Sequence, residues 1–418
     1  MNPATPSTPS TDALSAHHVI ATASRTDVQP AWGAVYAMSL CVFALIASEF
    51  MPVSLLTPMA ADLQITEGMA GQGIAISGAF AVLTSLCVAS VAAHMNRKTL
   101  LLGLTALMAL SGAVVALASS FFLYMVGRAF IGVVIGGFWS LSAATAMRLV
   151  PAHQVPRALA IFNGGNALAT VIAAPLGSHL ASVAGWRGAF FCLVPVAAVA
   201  LAWLWVSLPD LPPPAATAGT THSASALQLL KRRPVAWGMA ACSAFFMGQF
   251  ALFTYVRPFL ETITHLNVST LSLTLLAIGL SGVVGTALIG KVLQRGLYRT
   301  LTAIPVLMAL IALALIPAGP FAAFVMGLLA LWGLLATAAP VGWWSWVASA
   351  MPDSAEAGGG LMVAVVQLAI ALGSTLGGLL FDASGYRSTF LASALMLLLA
   401  AALAAICAGA QDTSSASA

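Results

Sequence analysis

Charged side chains are scarce in this sequence. Asp, Glu, Lys and Arg make up 6% of its 418 residues, where an ordinary soluble domain carries roughly a quarter. With 61% hydrophobic residues, the chain is one dissolved in lipid. Cysteine is sparse too. Cys41, Cys87, Cys192, Cys242 and Cys407 stand singly in apolar segments with no CxxC spacing. Neither a disulfide framework nor a zinc site is indicated, and no cofactor is implied. Residues 1–30 are rich in Pro, Ser, Thr and Ala and lack the apolar core of a secretory signal. They are expected to form a disordered cytoplasmic tail.

Long apolar runs are what the chain has in abundance. A bilayer core of roughly 30 Å takes about 20 apolar residues per helix. Breaks at Pro, Gly and charged clusters divide the sequence into runs at 32–59, 69–93, 99–118, 121–148, 157–184, 188–208, 235–260, 270–294, 299–317, 321–350, 356–381 and 388–408. These predict an all-α membrane protein with twelve transmembrane helices. The one long polar interruption, 209–234, reads as a cytoplasmic linker between six-helix bundles at 31–208 and 235–408, with a cytoplasmic tail at 409–418.

Basic residues favour cytoplasmic loops. With the N-terminus inside, eleven of them (Arg25, Arg97, Lys98, Arg148, Arg157, Lys231, Arg232, Arg233, Lys291, Arg295, Arg299) fall on the inner side, and only Arg187 and Arg387 fall outside. Both termini are therefore expected in the cytoplasm. The same asymmetry accounts for the net charge of +4 without nucleic acid as a partner, for which a basic surface patch would be needed.

The two outer arginines also mark an internal repeat. "PLGSHLASVAGWRGAF" (175–190) aligns without gaps on "TLGGLLFDASGYRSTF" (375–390), pairing Gly185 with Gly385 and Arg187 with Arg387. "RKTL" from Arg97 and "YRTL" from Tyr298 recur at an offset of 201. Two stretches at nearly one offset indicate parallel pseudo-repeats. Transporters built this way hold substrate near the midplane, between the halves.

Within the spans, acidic residues are almost absent. Glu49, in "FALIASEFMPVSLLTPMA", is the one carboxylate well inside a predicted span. A central charge costs on the order of 3 kcal/mol on insertion scales, which is tolerable if it faces a water-filled cavity and can take up a proton. Burial disfavours the ionised form of a carboxyl and a neighbouring cation favours it, so a group exposed to both can be made to titrate. The plainer alternative is a fixed ion pair or a hydrogen bond to a neighbouring helix. Arg128 lies in the outer half of span four and is either that modulating cation or a cap on carbonyls of a kinked helix. Gly132 and Gly136 after it form a GxxxG step, which more often means close helix packing than ligand contact.

Asn163, Asn166 and Thr170 share one face of span five. Like Gln249 and Gln367, these groups either line a cavity or bond between helices. In "PVGWWSW", Trp343 and Trp346 share a face, which either stacks on a flat ligand or packs. Phe138 and Trp139 repeat the pattern more weakly. His179 is an isolated titratable group. "GTALIGKV" from Gly285 resembles a phosphate-binding loop, but Val292 replaces the magnesium-binding hydroxyl and the stretch is apolar helix. "NVS" at Asn267 is a bare glycosylation sequon.

Twelve spans, a long central loop and parallel repeats resemble the major facilitator superfamily. "SEFMPVSLLTPMAADL", "GGFWSLSA", "MRLVPAHQVPRAL", "VIAAPLG", "GWR", "GQFALFTYVRP" and "PVGWWSW" resemble its drug:proton antiporter branch, and there the exporters of purine ribonucleosides. The resemblance covers 32–400. It implies a monomeric antiporter of the bacterial inner membrane that exports inosine, guanosine and purine analogues in exchange for protons. Glu49 and Arg128 would serve coupling, Asn163, Asn166, Gln249 and Gln367 would bond base and ribose, and Trp343 and Trp346 would stack. Export of sugars or unrelated drugs is the alternative, with an intramembrane enzyme or a channel behind it. Two motifs depart from the superfamily's pattern. Ala93 and Asn96 stand where its loop between spans two and three carries aspartate and glycine, and Ala174 precedes Pro175 where a glycine is usual.

Overall fold

The computed structural model describes residues 30–92, 94–151, 154–212, 228–351 and 355–416. The expected tail at 1–30 lies outside them save for Pro30, as do Ala93 and the core of the expected linker, 213–227. The first bundle contains α1 (Trp32–Phe50), α2 (Leu56–Leu63), α3 (Glu67–Ala92), α4 (Arg97–Ala116), α5 (Phe121–Leu149), α6 (Val155–Phe191) and α7 (Leu193–Ser207). The second contains α8 (Arg233–Phe253), α9 (Val256–Thr262), α10 (Val268–Leu293), α11 (Leu297–Ala318), α12 (Ala322–Ala350), α13 (Ala355–Ser384) and α14 (Tyr386–Ala416). Helix α14 runs on through the polar residues at 411–416, which the sequence assigns to a tail.

Among the described residues, eleven helical stretches are long and apolar enough to cross a membrane. One of them, Arg157–Ser207, has 51 residues. At 1.5 Å per residue it measures roughly 76 Å, enough for two crossings. Its corner is Gly185, with φ of 72°, and the repeat partner Gly385 has φ of 75°. Side chains with a Cβ avoid that region, so glycine ends the fifth and eleventh spans alike. The twelve expected spans and their bundles are thus present. Large apolar side chains such as Leu83, Val183 and Val206 point outward, as lipid-facing surfaces require.

Each bundle has its own apolar core, and close glycine contacts bring the helices together. A Cβ on Gly132 would lie 2.3 Å from the Ser77 carbonyl oxygen, and one on Gly136 would lie 2.2 Å from that of Ala81. The GxxxG step therefore packs α5 on α3. Gly333 meets Ile278 in the same way, at 2.3 Å, in the second bundle. The bundles meet where α3 packs on α13 and α6 on α10.

Hydrogen bonds that cross between the bundles cluster at the end remote from the basic loops. Asp382 accepts from Thr66 Oγ1 at 2.5 Å and from the Gly68 amide at 3.0 Å. Thr375 donates to Gln72 at 3.3 Å, and Arg257 donates to the Ser54 carbonyl.

Candidate functional site

The first span is broken by prolines. Helix α1 stops at Phe50, a 3-10 turn covers Met51–Ser54, and α2 resumes at Leu56. Proline has no N–H, so Pro52 leaves the Ser48 carbonyl without its helical partner and Pro58 leaves that of Ser54 without one. An arginine binds each. Arg128 Nη1 donates to Ser48 at 2.8 Å, and Arg257, held by Glu261 at 2.7 Å, donates to Ser54 from the other bundle.

Arg128 is 1% exposed. Its remaining donors go to the Gly73 carbonyl at 3.0 Å, the Ser77 hydroxyl at 3.1 Å and the backbone carbonyl of Glu49 at 3.3 Å. The guanidinium thus caps carbonyls of a broken helix. It is close enough to Glu49 for electrostatic interaction but forms no ion pair with its carboxylate.

The Glu49 side chain is 4% exposed and meets the Gln367 amide from α13. A carboxyl on the first span and an amide on the eleventh thereby touch across the boundary between bundles. The Gln367 carbonyl oxygen is buried without a partner among the described residues.

Beside them, Phe50 stacks on Phe250 with centroids 5.9 Å apart and planes 23° apart. The rings are 200 positions apart, and so are Glu49 and Gln249. The offset is that of the repeat, so the two pairs occupy equivalent places in the halves. A cavity of about 90 Å³ opens there, lined by Phe50, Thr170, Gln249, Phe250, Trp332 and Thr337 among others. Small-molecule pockets usually hold roughly 300–1,000 Å³, so this conformation is drawn nearly shut. Two polar atoms of its lining residues have no partner among the described residues: Gln249 Oε1 and Trp332 Nε1.

Other expected residues fall elsewhere. Asn163 is exposed and donates to Leu159 of its own helix at 2.9 Å. Asn166 is half-buried, and its carbonyl accepts from Thr170, at 2.9 Å, where that residue reaches the cavity. Trp343 and Trp346 are 2% and 0% exposed and pack edge to face at 6.1 Å. Trp346 lies so close to Gly238 that a Cβ there would clash. That is the packing reading of the pair, inside the second bundle's core. Phe138 stacks on Phe162, and His179 is exposed. Asn267 caps α10 by accepting from Thr270 N at 2.9 Å.

Trp332, Thr337 and the Phe50–Phe250 stack are not among the residues expected from the sequence. The repeat offset, extended past the outer arginines, would have paired the two phenylalanines.

Residues 38–373 match the family model described as Major Facilitator Superfamily. The chain belongs to that superfamily. It is a multi-pass membrane transporter, not an enzyme. A Pseudomonas aeruginosa protein named "Transcription regulatory protein OpdE" is 66% identical over 89% of this chain and 92% of its own. "Purine ribonucleoside efflux pump NepI" of Escherichia coli O6:H1 is 39% identical, and that of Salmonella typhimurium 40%, each over 90% of this chain and 94% of its own. Among solved structures, a bacterial homologue of the human lysosomal transporter Spinster, in an inward-facing conformation, matches in fold with a TM-score of 0.71 at 16% identity, over 90% of this chain and 96% of that one. Of the superfamily's usual loop glycine, the position is taken here by Asn96, which caps α4 through Lys98 N at 2.9 Å and accepts from Leu211 N at 3.2 Å.

Proposed function

We propose that this transporter exports purine ribonucleosides such as inosine and guanosine, and purine analogues, in exchange for protons across the bacterial inner membrane. In this reading both termini are cytoplasmic and the protein works as a monomer. The observation that carries it is the buried carboxyl of Glu49 meeting Gln367 across the boundary between the bundles. When the bundles separate, that contact breaks and water reaches the carboxyl; when they close, it is dry again. Such a group takes up a proton on one side and gives it up on the other. Arg128 holds the broken backbone that presents it.

Substrate class is supported by the pumps that are about 40% identical and by the chemistry of the cavity. Gln249 offers an unpaired acceptor and Trp332 an unpaired donor, which a purine base can satisfy together. Phe50 and Phe250 supply flat faces once they part, the role expected of Trp343 and Trp346 from the sequence. Gln367, Asn166 and Asn163 do not line the closed cavity; in this reading they bond base or ribose only once the bundles part. One proton crossing 100 mV yields about 2.3 kcal/mol, and a tenfold gradient costs about 1.4, so one proton per nucleoside sustains roughly a fiftyfold gradient.

Inverted vesicles with an imposed pH gradient test this directly. They should accumulate labelled inosine, and unlabelled guanosine should compete. Accumulation of sugars or phenicol drugs with no purine effect would replace the substrate class. The regulatory name of the Pseudomonas aeruginosa relative supports a second reading, in which transport alters transcription by changing the internal level of a sensed metabolite. Any such effect should disappear in a transport-dead variant.

A further inference from the structure

A second, larger cavity lies away from the boundary between bundles. It is a cleft of about 430 Å³ between α10, α11 and α12, open to the outside of the second bundle at the basic end. Its walls are almost wholly apolar, formed by residues such as Leu288, Ile304, Leu307 and Leu334. Leu288 and Leu307 are half exposed. At its mouth stand Arg295, in the turn that joins α10 to α11, and Arg299, in the first turn of α11.

Both arginines are exposed, and neither has a hydrogen-bond or ion-pair partner among the described residues. Lys291 stands in the last turn of α10. No Asp or Glu occurs anywhere in α10, α11 or α12. The positive charge at the mouth is therefore unneutralised by the helices that build the cleft. The corresponding corner of the first bundle, at Asn96 and Arg97, is instead covered by the chain itself. Leu211 bonds there, at 3.0 Å from the Arg97 amide, and Leu208 and Leu211 are buried.

We propose that this cleft is a binding site for one anionic glycerophospholipid. An acyl chain lies along the apolar wall, and the headgroup phosphate receives the guanidinium forks of Arg295 and Arg299. Apolar depth and cationic mouth match that one molecule in both parts. Guanidinium pairs phosphate oxygens in a fixed two-donor geometry, and basic pockets between spans on the cytoplasmic side of a membrane suit anionic headgroups.

The test is native mass spectrometry of the full chain in mixed micelles holding equal amounts of dioleoylphosphatidylglycerol and dioleoylphosphatidylcholine. Wild type should retain one phosphatidylglycerol and discriminate against phosphatidylcholine. Arg295→Gln with Arg299→Gln should weaken that preference roughly thirtyfold, two basic residues' worth near a surface. Arg295→Lys with Arg299→Lys keeps the charge and should retain most of it, which separates lost charge from lost fold. Leu334→Trp fills the cleft and should expel the lipid with both arginines intact. Equal retention of the two lipids, an unchanged glutamine variant, or a Leu334→Trp variant that still holds phosphatidylglycerol would overturn the proposal. So would displacement by millimolar inorganic phosphate, which would make the site one for a free anion.

Discussion

Arg128 donates to the Ser48 carbonyl at 2.8 Å, the carbonyl that Pro52 deprives of its helical amide. The arginine and the proline are thus two parts of one device, and their substitution effects should be coupled. Arg128→Met leaves buried carbonyls unpaired, each costing about 1–3 kcal/mol, and should lower the thermal midpoint of the purified protein sharply. Pro52→Ala restores an amide to Ser48. In a double-mutant cycle followed by thermal unfolding, the pair should be less destabilised than the sum of the two single variants.

Asp382 ties α13 to the start of α3 through Thr66 and Gly68. Charge-assisted bonds of this kind contribute about 1.5–3 kcal/mol, enough to shift a two-state equilibrium tenfold or more. In a background without native cysteines, Ala70→Cys is buried behind this contact. Its alkylation by a membrane-impermeant maleimide should be slow, and Asp382→Ala should speed it about tenfold. An unchanged rate would show that the contact does not hold that end shut.

Gln249 and Trp332 line the cavity, and each has a buried polar atom without a hydrogen-bond partner among the described residues. If substrate satisfies them, Gln249→Leu should weaken inosine binding about fivefold, the equivalent of about 1 kcal/mol. It should leave thermal stability of the empty protein unchanged or raised, because an unpaired acceptor is removed from a buried wall. A variant that loses stability and binding together would instead make Gln249 a structural residue.

Gly185 and Gly385 occupy equivalent corners with φ of 72° and 75°. No heavy atom lies within 4 Å of a Cβ built on either, so only backbone strain opposes alanine. Each substitution should cost on the order of 1 kcal/mol, and the two costs should be similar. Thermal unfolding of both variants checks this.

The spans, their grouping and the Gly185 corner were legible in the sequence because each depends on local composition or on spacing within one helix. Glu49 was legible for the same reason, as a charge out of place in an apolar run. What it touches was not legible. Contact with Gln367 depends on the register of the eleventh span against the first, which no local pattern encodes. Helical spacing put Trp343 and Trp346 on a common face but could not say whether that face met the cavity or the bundle core. Arg128 was visible as a buried cation. Its preference for the backbone of residue 49 over the carboxylate follows from the carbonyls freed by the break, a consequence of three-dimensional kinking.

Glu49→Gln tests the central claim most directly, because glutamine keeps the hydrogen-bonding shape and removes the titration. The measurement is labelled inosine in inverted vesicles, compared between uphill accumulation driven by a pH gradient and exchange down the substrate's own gradient, at matched protein abundance. Uphill accumulation should vanish while exchange persists, and Glu49→Asp should retain partial coupling with an altered pH profile. A folded Glu49→Gln protein that still concentrates inosine under a pH gradient would contradict the account and move the coupling proton to another group.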